Sequence, residues 1–373
     1  MCIRDRLIAR EKDISVDENG FHDEMSRQKD KSRQSGKFKI ETKDVSWNTH
    51  AEGKHSDFIG YEQLESQSKV IQYAEIGDDY LIVLDKTPFY AESGGQVADK
   101  GTIKAEGIDL VVVDVQKNND MIIHICNGKV ESWENIDNVI CLADEDYRGP
   151  IKRNHTATHL LHAALKTVLG NQVQQAGSLV HPDYLRFDLT YFEKITSDQV
   201  REIENLVNSQ ILINNNLEVS IKSYDEAMRD GVVALFGEKY GDQVRVVEAG
   251  DISKELCGGT HVDRTGDIGL FKITEESSLA SGVRRLVAVT GDRAVELVQE
   301  QAEILGSLRS LLNCGPDQLS ERVESILSDR KDLSKRLKKR HEAEGPDVNN
   351  WLKSCLLYTS PSPRDQRGSR MAG

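Results

Sequence analysis

Two pairs of metal-ligating side chains, about a hundred residues apart, place the strongest constraint on how this chain can fold. His155 and His159 lie four residues apart in HTATHLLH, and Cys257 and His261 repeat that spacing in ELCGGTHV. Residues four apart on a helix project from one face, so the two imidazoles can share an ion. Three nitrogens and one sulfur suit tetrahedral zinc. If all four side chains bind one ion, the fold must bring both segments together.

The pattern also limits the chemistry of such a site. A helical HExxH peptidase has a glutamate beside the first histidine, whereas this chain has Thr156, so peptide hydrolysis is disfavoured. His162 falls one position off the shared face and is expected to be a surface or packing histidine. Four protein ligands would make a closed, structural site, whereas a loose ligand would let the ion polarise a carbonyl, hold an amine or activate water. The sequence leaves both possibilities open.

Composition sets the broad class of the protein. The chain has 373 residues, so two or three compact units are expected. No apolar run of about 20 residues and no secretory signal is visible, which predicts a cytoplasmic protein. A formal charge of −14 opposes extended contact with nucleic acid, so any such contact must be local. The six cysteines show no repeating spacing, which argues against a disulfide framework.

The hydrophobic pattern changes twice along the chain. From 57 to about 146, short apolar runs such as YLIVLD and MIIHICNGKV predict a small β-barrel or sandwich. At Gly149-Pro150 the pattern becomes helical up to Gly170, where a left-handed cap is expected, and strands and a helix follow. Helical spacing resumes after Gly291 and is typical of a packing face or a coiled-coil arm. The predicted fold class is therefore α+β, with a small β-barrel followed by an α+β domain and helical segments at both ends.

Five separated blocks resemble the alanyl-tRNA synthetase family and occur in that family's order. HTATHLLH, QAGSLVHPDYLRFDLT, ELCGGTHVDRTGDIGLFKI and GVRRLVAVTG resemble its editing domain, and FYAESGGQVADKG resembles the β-barrel before it. LIAREKDISVDENGFHDEM likewise resembles the end of its tRNA-recognition region. The resemblance implies a helical tRNA-recognition end at 7–56, a β-barrel at 57–150, a zinc-containing editing domain at 151–291 and a helical arm at 292–345. Segments 1–6 and 355–373 resemble translated sequencing adaptor and are expected to be disordered artefact.

The resemblance implies an enzyme that hydrolyses misacylated tRNA. A pocket built for alanine admits glycine and discriminates poorly against serine, because contacts worth about 1–3 kcal/mol give about 10- to 200-fold selection. A second site is then needed to release serine or glycine from the acceptor end of alanine-specific tRNA, the implied partner. The family's aminoacylation domain, with its ATP and alanine sites, matches no motif here and is expected to be absent. No membrane partner is expected, and the oligomeric state is not indicated.

The resemblance also implies roles for individual residues. His155, His159, Cys257 and His261 would bind Zn²⁺. The implied catalytic residues are Thr158, Gln175 and Cys257. The implied substrate-binding residues form two groups. Gly94, Gly95 and Gln96 would lie at the pocket mouth, and Arg284 and Arg285 would bind phosphates of the acceptor end. A hairpin turn at the glycines and ordinary ion pairs at the arginines are the alternatives.

Other functions fit part of the pattern. A free-standing editing protein would share the metal ligands, but segment 7–43 and the helical arm favour a synthetase. The threonyl-tRNA synthetase editing domain has a similar set of metal-ligating residues, but the SGGQ and GVRR motifs favour the alanine family. A zinc-stabilised tRNA-binding module without turnover is the alternative from a different functional class.

Overall fold

A computed structural model describes residues 45–344 apart from 54, 135, 137 and 235–240, together with residues 17 and 20. The chain divides into two compact units, Met1–Asp292 and Arg293–Gly373. Of the recognition region expected at 7–56, residues 7–44 lie outside the described residues except for 17 and 20, and the artefactual ends expected at 1–6 and 355–373 lie outside them entirely. The predicted domain boundaries stay predictions.

The first sheet has eight antiparallel strands and curls on itself. Its strands are β1 (Asn48–Thr49), β3 (Glu65–Ser68), β4 (Val70–Ile76), β5 (Asp79–Leu84), β7 (Gly101–Ala105), β8 (Ile108–Asn118), β9 (Met121–Val130) and β10 (Val139–Ala143). In the sheet they lie in the order β1-β4-β5-β9-β8-β7-β10-β3. Only Lys69 separates β3 from β4, which lie near opposite ends of this order, so the sheet must curl. The predicted strand-rich region is thus confirmed, and its strands begin before residue 57.

Alternation of buried and exposed side chains explains why these segments form strands. Along β8, Ile108, Leu110 and Val112 are buried, and the residues between them are exposed. They belong to a core that also contains Phe89. A short parallel pair, β2 (Asp57–Phe58) and β6 (Lys86–Thr87), lies outside the eight-stranded sheet.

His124, on β9, is a fully buried imidazole with both ring nitrogens hydrogen-bonded. Its Nδ1 lies 2.9 Å from the Ile82 carbonyl oxygen, and its Nε2 lies 2.7 Å from Thr87 Oγ1. Because a carbonyl only accepts, Nδ1 carries the proton and the Thr87 hydroxyl donates to Nε2. Burial lowers the pKa of His124 to about 4, and the hydrogen bond to Ile82 opposes this shift.

We expect acid to destabilise the fold through His124. The pKa is about 4 in the folded chain and about 6.5 in the unfolded chain. The unfolded chain therefore binds the proton first, and up to about 3 kcal/mol of stability is lost as the pH falls between these values. Urea unfolding followed by circular dichroism should show this loss, and His124→Gln should lack it. The same substitution at the exposed His55 should leave the loss in place. Equal acid sensitivity in the wild type and His124→Gln would contradict this account.

The first long helix, α1 (Glu145–Leu169), begins earlier than the sequence predicts. Asp144 caps it, since its Oδ1 accepts hydrogen bonds from the N–H groups of Asp146 and Tyr147. The prediction that the helical segment begins at Gly149-Pro150 was therefore wrong. Pro150 lies in the second turn, where it removes one helix hydrogen bond without ending the helix.

The C-terminus of α1 is close to the prediction. Gly170 follows the helix with a φ of +104° and donates its N–H to the Lys166 carbonyl oxygen. Its ψ of 157° lies outside the left-handed helical region, so the expected left-handed cap was wrong in detail.

Arg148 joins α1 to the curled sheet. Its Nε donates to Asp99 Oδ1 at 2.7 Å, and its two Nη groups donate to the carbonyl oxygens of Gly60 and Pro88 at 2.7 and 2.8 Å. The side chains of Arg148 and Asp99 are 2% and 1% exposed. Removing one member of such a buried pair typically costs about 3–5 kcal/mol. The pair therefore fixes the start of α1 against the sheet.

The remaining elements of the first unit form an α+β arrangement around α1. The strands are β11 (Gln175–Val180), β12 (Leu185–Thr190), β13 (Leu217–Ser223), β14 (Gln243–Ala249), β15 (Ser253–Leu256), β16 (Phe271–Ala280) and β17 (Val283–Thr290); the helices are α2 (Ser197–Ile213) and α3 (Tyr224–Arg229). Four of the strands form a sheet in the order β11-β12-β17-β16, and three form a sheet in the order β13-β14-β15. Leu161, Phe187 and Leu286 contribute to the core between α1, α2 and the four-stranded sheet. The α+β class is thus confirmed.

Two further helices complete the described part of the chain. They are α4 (Gly291–Leu312) and α5 (Leu319–Glu344). The predicted helical segment is therefore present, although apolar positions such as Leu305, Leu308 and Leu333 are exposed. Within the described ranges, every helix is too short or too polar to cross a membrane.

Candidate metal centre and adjoining pocket

Four side chains from two distant segments converge in the first unit. α1 contributes His155 and His159, and the loop after β15 contributes Cys257 and His261. Their potential ligand atoms all lie within 4.8 Å of one another. Cys257 Sγ lies 3.3 Å from His155 Nε2 and 3.2 Å from His261 Nε2. The four predicted ligands are therefore placed as a group that could bind a metal ion.

The two glycines after Cys257 let the loop pass close to α1. A Cβ at Gly259 would lie 2.0 Å from His155 Cε1, whereas a Cβ at Gly258 would meet no atom within 4 Å. Arg245 Nη1 donates to the carbonyl oxygens of Cys257 and Gly259 at 2.9 and 3.0 Å. Tyr61 donates its hydroxyl to the Gly258 carbonyl at 2.6 Å. The loop is thus held at three successive carbonyls.

Hydrogen bonds orient two of the imidazoles toward the cluster. His155 Nδ1 lies 2.7 Å from Gln96 Oε1, an amide oxygen that can only accept. His261 Nδ1 lies 3.1 Å from Thr156 Oγ1, whose single proton is donated to the Lys152 carbonyl. Both Nδ1 atoms therefore carry the proton, and both Nε2 atoms keep a lone pair for a metal ion.

Glu255 is a member of this site that the sequence analysis missed. Its Oε2 lies 3.2 Å from His159 Nδ1, its Oε1 lies 3.0 Å from His162 Nδ1, and Ser253 donates to Oε1 at 3.2 Å. The sequence contains one indication of this role: alternate side chains of a strand lie on the same face, so Glu255 is expected on the same side as Cys257. A lone glutamate in ELCGGTHV carries no other local mark.

His162 is buried and does not join the four ligands. Its ring packs against Phe187 at 5.5 Å, and its Nδ1 donates to Glu255. The surface alternative for His162 was therefore wrong, and the packing alternative is confirmed.

The cluster favours ionisation of Cys257. Burial raises the pKa of the Cys257 thiol, but the nearby His155 and His261 imidazoles lower it by more than burial raises it. The pKa of the thiol is therefore well below its usual value. Burial lowers the pKa of His261 to about 3. These directions favour a thiolate beside a neutral imidazole, which are the forms that bind metal ions.

A cavity of about 160 Å³ adjoins three of the four side chains. Its walls include His155, His159 and Cys257, together with Thr158 and Gln175. The structure thus places the three predicted catalytic residues, Thr158, Gln175 and Cys257, at one cavity. Tyr90 and Ser93, joined by a 2.8 Å hydrogen bond between their hydroxyls, also line it and were missed from sequence.

The SGGQ segment reaches the site in two different ways. Gly94 lines the cavity with a φ of +57°. Gly95 instead packs on Ser178, which leaves no room for a Cβ, and its carbonyl accepts from Val180 N–H at 2.7 Å. Gln96 is fully buried behind His155. Gly95 and Gln96 are therefore not among the residues that line the cavity.

The two arginines predicted to bind phosphates are paired with carboxylates. Arg284 forms an ion pair with Glu276. Arg285 donates from Nε and Nη2 to the two oxygens of Asp188 at 2.7 and 2.9 Å. Neither arginine is among the residues that line the cavity. Their role toward tRNA stays a prediction.

Comparison with known proteins identifies the relatives of this chain. A family model described as "tRNA synthetases class II (A)" matches residues 5–147. A second, "Threonyl and Alanyl tRNA synthetase second additional domain", matches residues 244–287, which include Cys257 and His261. An alanine–tRNA ligase of Halorhodospira halophila is 46% identical over 330 residues, or 86% of this chain and 37% of the relative. One from Idiomarina loihiensis is 42% identical over 382 residues, or 97% of this chain and 44% of the relative.

The chain is a member of the alanyl-tRNA synthetase family. The resemblance inferred from the five sequence blocks is thus confirmed. The chain spans only 37–44% of the length of these two relatives. One family model covers Gly94, Gly95 and Gln96, and the other covers Cys257 and His261. The site therefore combines residues from both matched regions.

We expect Gly259→Ala to disrupt the centre and Gly258→Ala to be tolerated. The new methyl at 259 would overlap His155, whereas the methyl at 258 would enter open space. Overpacking of this kind typically costs about 1–3 kcal/mol. Bound metal, measured by elemental analysis after dialysis, and urea unfolding should both be impaired in Gly259→Ala and near normal in Gly258→Ala. The same metal content in both variants would show that the loop does not need this close approach.

Proposed function

We propose that this chain carries the editing site of an alanine–tRNA ligase, which hydrolyses Ser-tRNA(Ala) and Gly-tRNA(Ala) with a bound zinc ion. The observation that carries the proposal is the convergence of four potential metal ligands, three of which line a cavity that also contains Thr158 and Gln175. The relatives are alanine–tRNA ligases, which supports alanine-specific tRNA as the partner. A cytoplasmic location remains a prediction.

The donor set supports zinc as the ion. His155, His159, His261 and the Cys257 thiolate offer three nitrogens and one sulfur, which suit a tetrahedral borderline-soft ion. A bound zinc ion would supply Lewis acidity, to polarise an ester carbonyl or to lower the pKa of a water molecule.

Thr158 is suited to select serine over alanine. Its Oγ1 donates to the Asn154 carbonyl at 2.8 Å, so its lone pairs remain to accept a hydrogen bond in the cavity. A serine hydroxyl can donate that bond, and an alanine methyl cannot. Gln175 donates its amide to Ser178 Oγ at 3.1 Å, which leaves its amide oxygen able to accept from a substrate amine or water. Glycine fits the same cavity because it is smaller than serine.

A zinc-stabilised tRNA-binding module without turnover is a second candidate. It is favoured by one observation: all four ligands come from the protein, as in structural zinc sites. This candidate predicts tRNA binding without ester hydrolysis, and unfolding when the metal is chelated. The two functions therefore differ in whether bound Ser-tRNA(Ala) is hydrolysed.

We expect the full chain to release serine from Ser-tRNA(Ala), and Cys257→Ala to abolish release because it removes a metal ligand. Release of radiolabelled serine, measured with and without added zinc, tests this. Cys314→Ala, the same substitution on the connection between α4 and α5, should keep the wild-type rate. A wild-type chain that binds Ser-tRNA(Ala) and leaves it intact would favour the binding module, and full activity in Cys257→Ala would reject a role for the metal.

We expect Thr158→Val to lower kcat/KM for Ser-tRNA(Ala) by about 10-fold, because one hydrogen bond to the substrate hydroxyl is lost. Hydrolysis of Gly-tRNA(Ala), which has no such hydroxyl, should change much less. Thr167→Val is a matched control, because Thr167 makes the same bond to the carbonyl four residues earlier on the exposed part of α1. Equal losses with both tRNA substrates would remove Thr158 from serine recognition.

A further inference from the structure

Glu255 is a buried carboxylate outside the four-ligand group. It is 5% exposed, and burial of a carboxylate is costly unless it is paired. Both of its oxygens have partners: Oε2 faces His159 Nδ1, and Oε1 faces His162 Nδ1 and Ser253 Oγ. The carboxylate therefore lies between one ligand histidine and one histidine that is not a ligand.

The three ligand histidines differ in what holds their Nδ1 atoms. His155 faces the neutral amide of Gln96, and His261 faces the neutral hydroxyl of Thr156. Of the three, His159 alone faces a carboxylate. A carboxylate at this position fixes the ring orientation and increases the basicity of the other nitrogen toward a metal ion.

His162 holds this carboxylate from the other side. It lies three residues after His159 on α1, so both side chains reach β15 from adjacent turns of one helix. Its ring is fixed by packing against Phe187, and its Nδ1 donates to Glu255. The contact therefore ties β15 to α1 beside the ligand group.

We propose that Glu255 is a positioning residue of this centre: it holds His159 with Nε2 turned toward Cys257, and His162 holds Glu255 in place. The proposal rests on the metal-binding part of the proposed function and is independent of ester hydrolysis.

The test is the zinc affinity of the full chain, measured by competition with a chromogenic chelator. Glu255→Gln keeps the shape of the side chain and removes its charge, so we expect zinc to bind about 10- to 100-fold more weakly. Glu248→Gln is the matched control, because Glu248 on β14 pairs with Lys254 at 3.0 Å in a partly exposed position. The zinc affinity of Glu248→Gln should equal that of the wild type.

The absorption spectrum of the Co²⁺-loaded chain gives a second readout, the geometry of the ligands. This spectrum should change in Glu255→Gln and stay unchanged in Glu248→Gln.

Two variants of His162 test the second contact. His162→Asn retains an N–H donor near the position of Nδ1, so zinc affinity should stay close to that of the wild type. His162→Leu fills the space without a donor, so zinc affinity should fall toward that of Glu255→Gln. Circular dichroism of each variant reports whether the fold is retained.

Three results would overturn the proposal: wild-type zinc affinity in Glu255→Gln, equal weakening in Glu248→Gln, or a wild-type chain that binds no zinc. Weaker zinc binding in His162→Asn, to the level of His162→Leu, would reject the role of His162. If Glu255→Gln weakens zinc binding as expected and the wild-type chain does not hydrolyse Ser-tRNA(Ala), the proposed function fails and the positioning role stands.

Discussion

The buried pair between Arg148 and Asp99 determines how the curled sheet meets α1, and the candidate site is assembled across that contact. Asp99 also accepts the Tyr90 N–H at 2.6 Å, so the segment from 90 to 99 is fixed at both ends against the helix. Gln96 lies within this segment, and its amide contacts His155 on one side and Thr260 on the other. A change at Arg148 would therefore reach the candidate metal ligands through Gln96, although the hydrogen bonds of Arg148 go to Asp99, Gly60 and Pro88.

The sequence was informative where a local period carries the signal. The helical spacing of His155 and His159, and the paired spacing of Cys257 and His261, were sufficient to predict that these four side chains converge, because a common ion would require convergence whatever the path of the chain between them. The start of α1 was missed because Gly149-Pro150 is a typical helix breaker. A proline in the second turn is tolerated when the rest of the helix is anchored, and the capping residue and Arg148 provide that anchoring.

The sequence was uninformative where a partner lies far away along the chain. Glu255 meets His162 across 93 residues, and Arg285 meets Asp188 across 97. No periodicity marks such pairs, since any carboxylate in this acidic chain is a candidate partner for either side chain. The resemblance to a known family implied substrate-binding roles for Arg285 and Gln96, but it did not indicate which residues their side chains contact. In the structure Gln96 is enclosed behind the His155 imidazole and is not open to the cavity.

The charge balance of the centre links its burial to its chemistry. With a divalent ion bound, three neutral imidazoles and one thiolate would leave a net charge of +1, which is costly to bury without a partner. Glu255 lies beside His159 and would supply one negative charge, so that a divalent ion, the four side chains and this carboxylate would be neutral as a group. A neutral group can be buried next to the cavity without drawing water toward it. Thr158 and Gln175 add uncharged hydrogen-bonding groups to a cavity wall that also includes Glu255, and in the proposed function they would discriminate a hydroxyl from a methyl.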